Sequence, residues 1–258
     1  MKDGKWCTAV ILSAGSGSRM KSGAETDQQG DGKPSAKQYM DLAGKPVICY
    51  SLQTVEDSRV IDDCILVAGA EDIEFVRREI VEKYHFTKTK EIIAGGAERY
   101  LSVQNALRVI ERRCLADPSR KGYVFIHDGA RPFLTESILE RLADEVVETR
   151  ACVAAMPAKD TVKIVDDQNL AIRTPDRRSV WNVQTPQVFE TDLILMAYES
   201  LEGRLEKLKE QGITVTDDAG VVELFTNCRV KMVEGSYRNI KITTPEDMII
   251  AEALAGKS

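Results

Sequence analysis

Small residues followed by cations carry the first legible chemistry of this 258-residue chain. Ser13-Ala14-Gly15-Ser16-Gly17-Ser18-Arg19-Met20 follows directly on an apolar run. Small residues after a strand let backbone N–H groups approach a polyphosphate closely, and Arg19 can add charge-assisted bonds to its oxygens. The segment fails as a dinucleotide fingerprint, because Met20 stands where the third glycine should be. It also fails as a Walker loop, since Gly32-Lys33 is followed by Pro34 and Asp27 holds the place of the leading glycine. Lys37 closes the glycine-rich stretch 21–36, where a lysine can fold back over phosphates or remain a solvated surface residue. Only two histidines are present, His85 and His127, and no Gly-x-Ser-x-Gly elbow accompanies either. A histidine-rich metal site is excluded, and a Ser-His-Asp hydrolase is disfavoured. Lys, Arg, Asp and backbone amides remain, and those groups suit phosphates.

Composition narrows the setting. The chain has 35 basic and 41 acidic residues, a net charge of −6, and 43% hydrophobic residues, which disfavours a nucleic-acid coat or a polybasic membrane surface. Its longest apolar runs, Thr8 to Leu12 and Ala151 to Met156, fall far short of the roughly 20 residues that span a bilayer. Met1 to Ala9 has no secretory hydrophobic region, so a cytoplasmic protein is expected. The six cysteines lack zinc-ribbon or redox-pair spacing and are expected to be buried free thiols.

Short β-like runs alternate with helical patterns in the manner of βαβ units. The expected order is strand Cys7 to Ser13, helix Pro46 to Val55, strand Cys64 to Ala68, helix Glu71 to Tyr84, strand Glu91 to Ala94 and helix Glu98 to Cys114. Strand Tyr123 to His127, helix Glu136 to Glu148 and strand Cys152 to Met156 follow. Ile73, Val76, Ile80 and Tyr84 define one helical stripe, and Val103, Leu107, Ile110 and Cys114 another. A mostly parallel, helix-covered sheet results. The pattern breaks over 158–189, where short strands at Thr161 to Val165, Ala171 to Thr174 and Val180 to Val183 suggest an arm leaving the sheet. Helices resume at Thr191 to Leu201 and Asp217 to Phe225, then strands at Arg229 to Glu234 and Tyr237 to Ile242. Thr244-Pro245-Glu246-Asp247 caps a last helix. No linker divides the chain, so a single domain over 1–258 is expected, with 21–36 a mobile surface loop.

Ala14-Gly15-x-Gly17-x-Arg19-Met20 followed by Lys37-Gln38-Tyr39 resembles the nucleotidyltransferases that activate sugar phosphates. Gly95-Gly96-Ala97-Glu98-Arg99, His127-Asp128-Gly129-Ala130-Arg131-Pro132, Asp160-Thr161-Val162-Lys163, Asp176-Arg177, Gln184-Thr185-Pro186-Gln187, Thr216-Asp217-Asp218-Ala219 and Asn239-Ile240-Lys241-Ile242-Thr243 then occur in order. Together they resemble the 2-C-methyl-D-erythritol 4-phosphate cytidylyltransferase family, over roughly Cys7 to Leu254. The resemblance implies a Rossmann-like α/β nucleotidyltransferase fold, a mostly parallel mixed sheet flanked by helices with a protruding β-arm. It also implies a homodimer joined through the 158–189 arm. Ala14, Gly15, Gly96 and Ser102 would then line the CTP site, with Ser102 and the backbone near Gly96 reading cytosine. Arg19 and Lys37 would hold the triphosphate, Asp128 the ribose side, and Lys241 the α-phosphate. Arg131, Thr161, Arg177 and Thr185 would bind the methylerythritol phosphate, Arg177 and Thr185 in the neighbouring subunit's site. Mg²⁺ would be held mainly by the CTP phosphates, with no metal-ligating side chains. Pro34-Ser35-Ala36-Lys37 and Ala97 depart from the family pattern.

On this reading a substrate phosphate oxygen attacks the α-phosphorus of CTP in line and pyrophosphate leaves. A phosphate monoester has its second pKa near about 6, so no general base is required. The barrier lies in bringing anions together, about 4 kcal/mol per unit-charge pair at about 4 Å and an effective dielectric of 20. Arg19, Lys37, Lys241 and Mg²⁺ would offset it. Bland readings stand beside these roles: Asp128 as a loop cap, Arg131 as a surface ion-pair partner, His127 as packing, and Asp217-Asp218 as the acidic first turn of a helix. Two whole-protein alternatives remain, a D-ribitol 5-phosphate cytidylyltransferase and a nucleotide-binding regulator without catalysis. Lys163 and the Gly129-Ala130 pair favour methylerythritol phosphate over ribitol phosphate.

Overall fold

The apolar run that opens the chain becomes the middle of a sheet, because a strand covered on both faces needs no polar alternation. The structure, a computed structural model, describes residues 2–15 and 36–256. In chain order it contains β1 (Trp6–Ser13), α1 (Val47–Asp57), β2 (Asp63–Ala68), β3 (Thr89–Ala94), α2 (Arg99–Ala116) and β4 (Gly122–Asp128). It continues with α3 (Glu136–Thr149), β5 (Ala151–Pro157), β6 (Trp181–Glu190), α4 (Thr191–Leu201), α5 (Leu205–Glu210), α6 (Asp218–Phe225), β7 (Lys231–Glu234) and α7 (Pro245–Ala255). Seven strands form one sheet in the order β7-β5-β6-β4-β1-β2-β3. Among these described strands β6 is antiparallel to its neighbours β4 and β5, and the other pairs are parallel.

Alternate residues of each strand feed two cores. Cys7, Ala9 and Ile11 of β1 pack with Ile48 and Leu52 of α1 and with Ile138 and Leu142 of α3. Val10, with Val124 and Ile126 of β4, packs with Val103 and Leu107 of α2 and with Leu193 and Ala197 of α4. The chain steps outward from β1 to β2 to β3 and then returns to lay β4 on the other side of β1. Loops leaving the C-terminal ends of β1 and β4 therefore part, which opens a crevice where ligands of such sheets bind. A third cluster, Leu42, Val47, Ile242, Met248 and Ala251, seats α7 beside that crevice.

Four sequence expectations change. The segment 70–82 is helical but winds as a 3₁₀ turn, a short α-helical turn and a π-helix, Val76–Glu82. Within its stripe Val76 and Ile80 are buried, while Ile73 and Tyr84 pack partly buried against the core. Val180 to Val183 is not a separate arm strand. It begins the ten-residue β6, which returns to the sheet and absorbs Pro186 at a register shift between Val183 and Gln187. The arm's strands shrink to Ile164–Val165 paired with Ala171–Arg173. Tyr237 to Ile242 is not a strand, because side chains replace the ladder. Asn239, expected on a polar face, is buried and donates to Thr185 O at 2.8 Å, while the Ile242 N–H donates to Ala130 O at 2.9 Å.

All six cysteines are free, and Cys7, Cys49, Cys64 and Cys152 are buried. Burial pushes the Cys7 thiol up to about 11 and those of Cys49 and Cys64 to about 12, which makes them packing groups rather than nucleophiles. No helix among the described residues is long and apolar enough to cross a membrane. The expected loop 21–36 lies outside the described residues apart from Ala36.

Candidate active site

Three chain reversals build a cavity of about 520 Å³ over the crevice. The first leaves β1 at Ser13. Gln38, buried on the 3₁₀ turn Lys37–Tyr39, donates its side-chain amide to Ser13 O and, at 3.1 Å, to Gly15 O. The Ser13 hydroxyl donates to Val67 O at 2.9 Å and meets Tyr39 Oη at 3.2 Å. Gln38 and Tyr39 thus fasten the end of β1 from Ser13 to Gly15, and the same short helix brings Lys37 to the cavity wall.

The second reversal joins β3 to α2. Ser102 Oγ accepts the Gly96 N–H at 3.0 Å. The passage is tight: a Cβ on Gly95 would stand 2.3 Å from Ala14 Cβ, and one on Gly96 would stand 2.3 Å from Leu101 Cβ. Only a backbone without side chains lets the turn close against the end of β1. The Gly96 backbone and the Ser102 hydroxyl, bonded to each other, form one wall of a slot in the cavity.

The third reversal leaves β4 at Asp128, which is nearly buried. Lys241 Nζ lies 2.6 Å from its Oδ2 and Arg99 Nε 3.3 Å from its Oδ1. Burial would raise this carboxyl, but Arg99, Lys241 and the nearby Arg131 hold it well below the usual carboxylate range. Ile242 is fully buried in the α7 cluster, a contribution of roughly 1.5–3 kcal/mol that fixes the residue beside Lys241. Beneath the site His127 is buried and its imidazole is pushed down to about 4 by desolvation, so it is neutral at pH 7.

Ala14, Gly15, Lys37, Gly96, Ser102, Asp128 and Lys241 line this one cavity. Arg19 lies outside the described residues. Arg131 stands behind the wall and donates from Nη1 to Asn239 O at 2.7 Å. Thr185 is buried, its hydroxyl accepting the Asp128 N–H at 3.1 Å and meeting His127 Nδ1 at 3.0 Å. Thr161 and Arg177 lie exposed on the arm, where Arg177 Nη1 donates to Lys159 O at 3.3 Å. Asp217 caps α6 by accepting the Gly220 N–H. Asp218 does more than fill an acidic first turn, because it binds Arg99 through both oxygens at 2.8 and 2.9 Å. Arg99, Gln38 and Asp218 stand in the motifs that carry the family resemblance but receive no site role from sequence, Asp218 being read only as part of an acidic first turn. Their signal is membership of those motifs, which does not tell what each side chain bonds. A smaller cavity of about 380 Å³ adjoins the first at Glu98 and Arg99, but neither Lys37 nor Lys241 lines it.

Among the described residues no three His, Cys, Asp or Glu side chains cluster as a metal site. Asp128 already faces two cations. This donor set does not fit a resident divalent ion.

A mostly parallel sheet parted at a crevice, with a glycine turn and two lysines lining one cavity, defines an α/β protein of the nucleotide-binding class. The family model for 2-C-methyl-D-erythritol 4-phosphate cytidylyltransferase matches residues 7–257, and the chain belongs to that family. A Lachnospira eligens protein of that name is 48% identical over 246 residues, covering 95% of this chain and 96% of its own. Another, from Lachnoclostridium phytofermentans, is 41% identical over 247 residues, covering 96% and 95%. The crystal structure of 4-diphosphocytidyl-2C-methyl-D-erythritol synthase from Anaerococcus prevotii superposes with a TM-score of 0.78 at 34% identity, covering 99% of this chain and 98% of that one.

Proposed function

We propose that the protein transfers CMP from CTP to 2-C-methyl-D-erythritol 4-phosphate, releasing pyrophosphate, in the cytoplasm. One observation carries this reading in a chain of that family: the turn at Gly96 and Ser102 and the side of the site with Lys37 and Lys241 border one cavity. A volume of about 520 Å³ suits a nucleotide. Cytosine enters the slot, the ribose lies toward Asp128, and the phosphates run between the Ala14-Gly15 turn and the two lysines. Arg19 is assigned to the same triphosphate. Magnesium enters with CTP as part of the substrate.

The acceptor phosphate is already mostly dianionic at pH 7, its second pKa being near about 6, so no base has to be found. The protein's task is to let anions meet. Lys241 and Lys37 neutralise the crowded phosphates, and the backbone turns hold the α-phosphorus in line with the attacking oxygen. His127, neutral and buried, takes no proton at pH 7 and serves to hold Thr185 and the Arg131 carbonyl. Arg131, Thr161, Arg177 and Thr185 are assigned to the acceptor phosphate, with Arg177 reaching the neighbouring subunit's site in a homodimer; Thr185, expected to reach that site too, is instead buried against Asp128 and His127 of its own chain and serves its own site. Exposed Ile164, Val165, Leu170 and Ile172 on the arm support that dimer, since such side chains ask for cover.

The test is pyrophosphate release from CTP and Mg²⁺ with 2-C-methyl-D-erythritol 4-phosphate in one tube and D-ribitol 5-phosphate in another. Release in the first alone is expected. Release in the second alone would move the activity to ribitol phosphate, and silence in both would refute catalysis with either acceptor.

A further inference from the structure

Asp128 has two cationic partners, and they are held differently. Lys241 reaches Oδ2 at 2.6 Å on a side chain that is 36% exposed. Arg99 reaches Oδ1 at 3.3 Å through Nε, while its Nη1 and Nη2 are fixed from behind by Asp218 at 2.9 and 2.8 Å. Asp218 is fully buried and anchored in turn: Tyr198 Oη donates to it at 2.6 Å, and its backbone N–H donates to Gln187 Oε1 at 3.0 Å. Tyr198 comes from α4 and Gln187 from β6, so the anchor is built on regular elements. Lys241, by contrast, belongs to the irregular segment before α7 and lines the cavity.

Asp128 is only 7% exposed. A carboxylate buried to that degree cannot release one cation without penalty unless another remains, because an unpaired buried charge is strongly unfavourable. If Lys241 meets the triphosphate, as proposed above, it has to leave Asp128. We infer that Arg99 is a positioning residue for that exchange: clamped by Asp218, it keeps Asp128 paired while Lys241 transfers to the incoming nucleotide. Without Arg99, Asp128 retains Lys241 and competes with CTP for it. Arg99 therefore acts on CTP affinity through Lys241, and on the transfer step hardly at all once CTP is bound.

The inference rests on the cytidylyl-transfer reading, and its test separates the two. Arg99→Gln combined with Asp218→Asn replaces the buried ion pair by two amides and strands no charge. Mg·CTP binding is measured by calorimetry for the wild type, this pair, Lys241→Ala and the combination of all three, with kcat taken at saturating CTP in the first two. We expect CTP binding to weaken about tenfold in the Lys241 background and less than about twofold in the Lys241→Ala background, with kcat kept within about threefold. Equal weakening in both backgrounds, none in either, or a large loss of kcat at saturation would overturn it. A wild type that binds no CTP would refute the functional reading instead. A second readout needs no Arg99 variant: NMR of ¹⁵N-labelled lysine ammonium groups in the wild type. The Lys241 resonance should shift on adding Mg·CTP and, without nucleotide, on Asp128→Asn. Indifference to Asp128→Asn would show that no such pair exists and overturn the inference.

Discussion

Ser102 Oγ accepts the Gly96 N–H at 3.0 Å and donates to Glu98 O at 3.3 Å, so one hydroxyl ties the turn after β3 to the start of α2. Ser102→Ala leaves the Gly96 N–H without that partner and frees the slot wall. A neutral hydrogen bond contributes about 0.5–1.5 kcal/mol, so the KM for CTP should rise roughly three- to tenfold. The melting temperature should fall by no more than about 2–6 °C. Steady-state kinetics with CTP and a thermal melt check both, and an unchanged KM would mean that the slot is held from elsewhere.

Gly95→Ala attacks the same turn by volume rather than by bonding. The new methyl would stand 2.3 Å from Ala14 Cβ and 2.8 Å from Ser102 Oγ, well inside contact distance. Overpacking of this kind costs about 1–3 kcal/mol, and here the strain falls on Ala14 and Ser102, which line the proposed nucleotide site. CTP affinity should drop more than in Ser102→Ala, measured by calorimetry on protein shown by circular dichroism to be folded. Affinity equal to the wild type would mean that the turn can shift outward without disturbing the site.

How far the sequence reveals this architecture depends on the range of the forces involved. β1 and α4 are legible because burial on both faces of a strand, and on one stripe of a helix, is written in residues two or four apart. α7 is legible because Thr244, Pro245 and Asp247 signal locally, and Asp247 does accept the N–H groups of Thr243 and Thr244. β6 misleads because Gln184-Thr185-Pro186 reads as a break, whereas the sheet tolerates it as a register shift. Asn239 misleads for a related reason: its polarity suggests solvent, but its partner Thr185 lies 54 residues away. The pairing of Arg99 with Asp218 spans 119 residues, a distance that no local pattern encodes.

Lys241→Ala tests the assignment of the α-phosphate. In the free protein this lysine is paired with Asp128, so its gain on meeting CTP is offset by the bond it gives up. Ground-state binding should therefore weaken by no more than about tenfold. The crowded transition state retains the full need for charge, and turnover should fall about 10²- to 10³-fold. Single-turnover rates at saturating CTP, set beside equilibrium CTP binding, separate the two effects. Full turnover in the variant would remove Lys241 from the mechanism.

Ile172 on the arm is 67% exposed, the most exposed of its large apolar side chains. If a second copy covers it, Ile172→Asp places a charge in that interface and should shift sedimentation from dimer toward monomer by at least tenfold in dissociation constant. Each buried and unpaired charge costs several kcal/mol, which is more than this shift requires. A monomeric wild type, or a dimer indifferent to the substitution, would exclude the arm as the contact.

His127 gives the protein a predictable acid response. Its Nε2 lies 3.2 Å from Arg131 O, a pure acceptor, so that nitrogen carries the hydrogen and Nδ1 must accept from the Thr185 hydroxyl. The Thr185 oxygen in turn accepts the Asp128 N–H while its hydrogen points at Nδ1, so a second imidazole proton would have to turn that hydroxyl away. Burial, the main cause, therefore holds the group down at about 4 against an ordinary value of 6.5. Between those values the unfolded chain binds more protons than the folded one. Stability is thus full above about pH 6.5 and lost as pH falls toward about 4, by up to about 3 kcal/mol. Urea unfolding at pH 7.5, 6 and 5 should show midpoints falling with pH over this window, above the range in which Asp128 titrates. His127→Asn should be less stable at pH 7.5 yet lose the slope, because the titrating group is gone. A wild-type midpoint that stays flat from pH 7.5 to 5 would mean that the imidazole can be protonated in place, with the Thr185 hydroxyl hydrogen turned away from Nδ1.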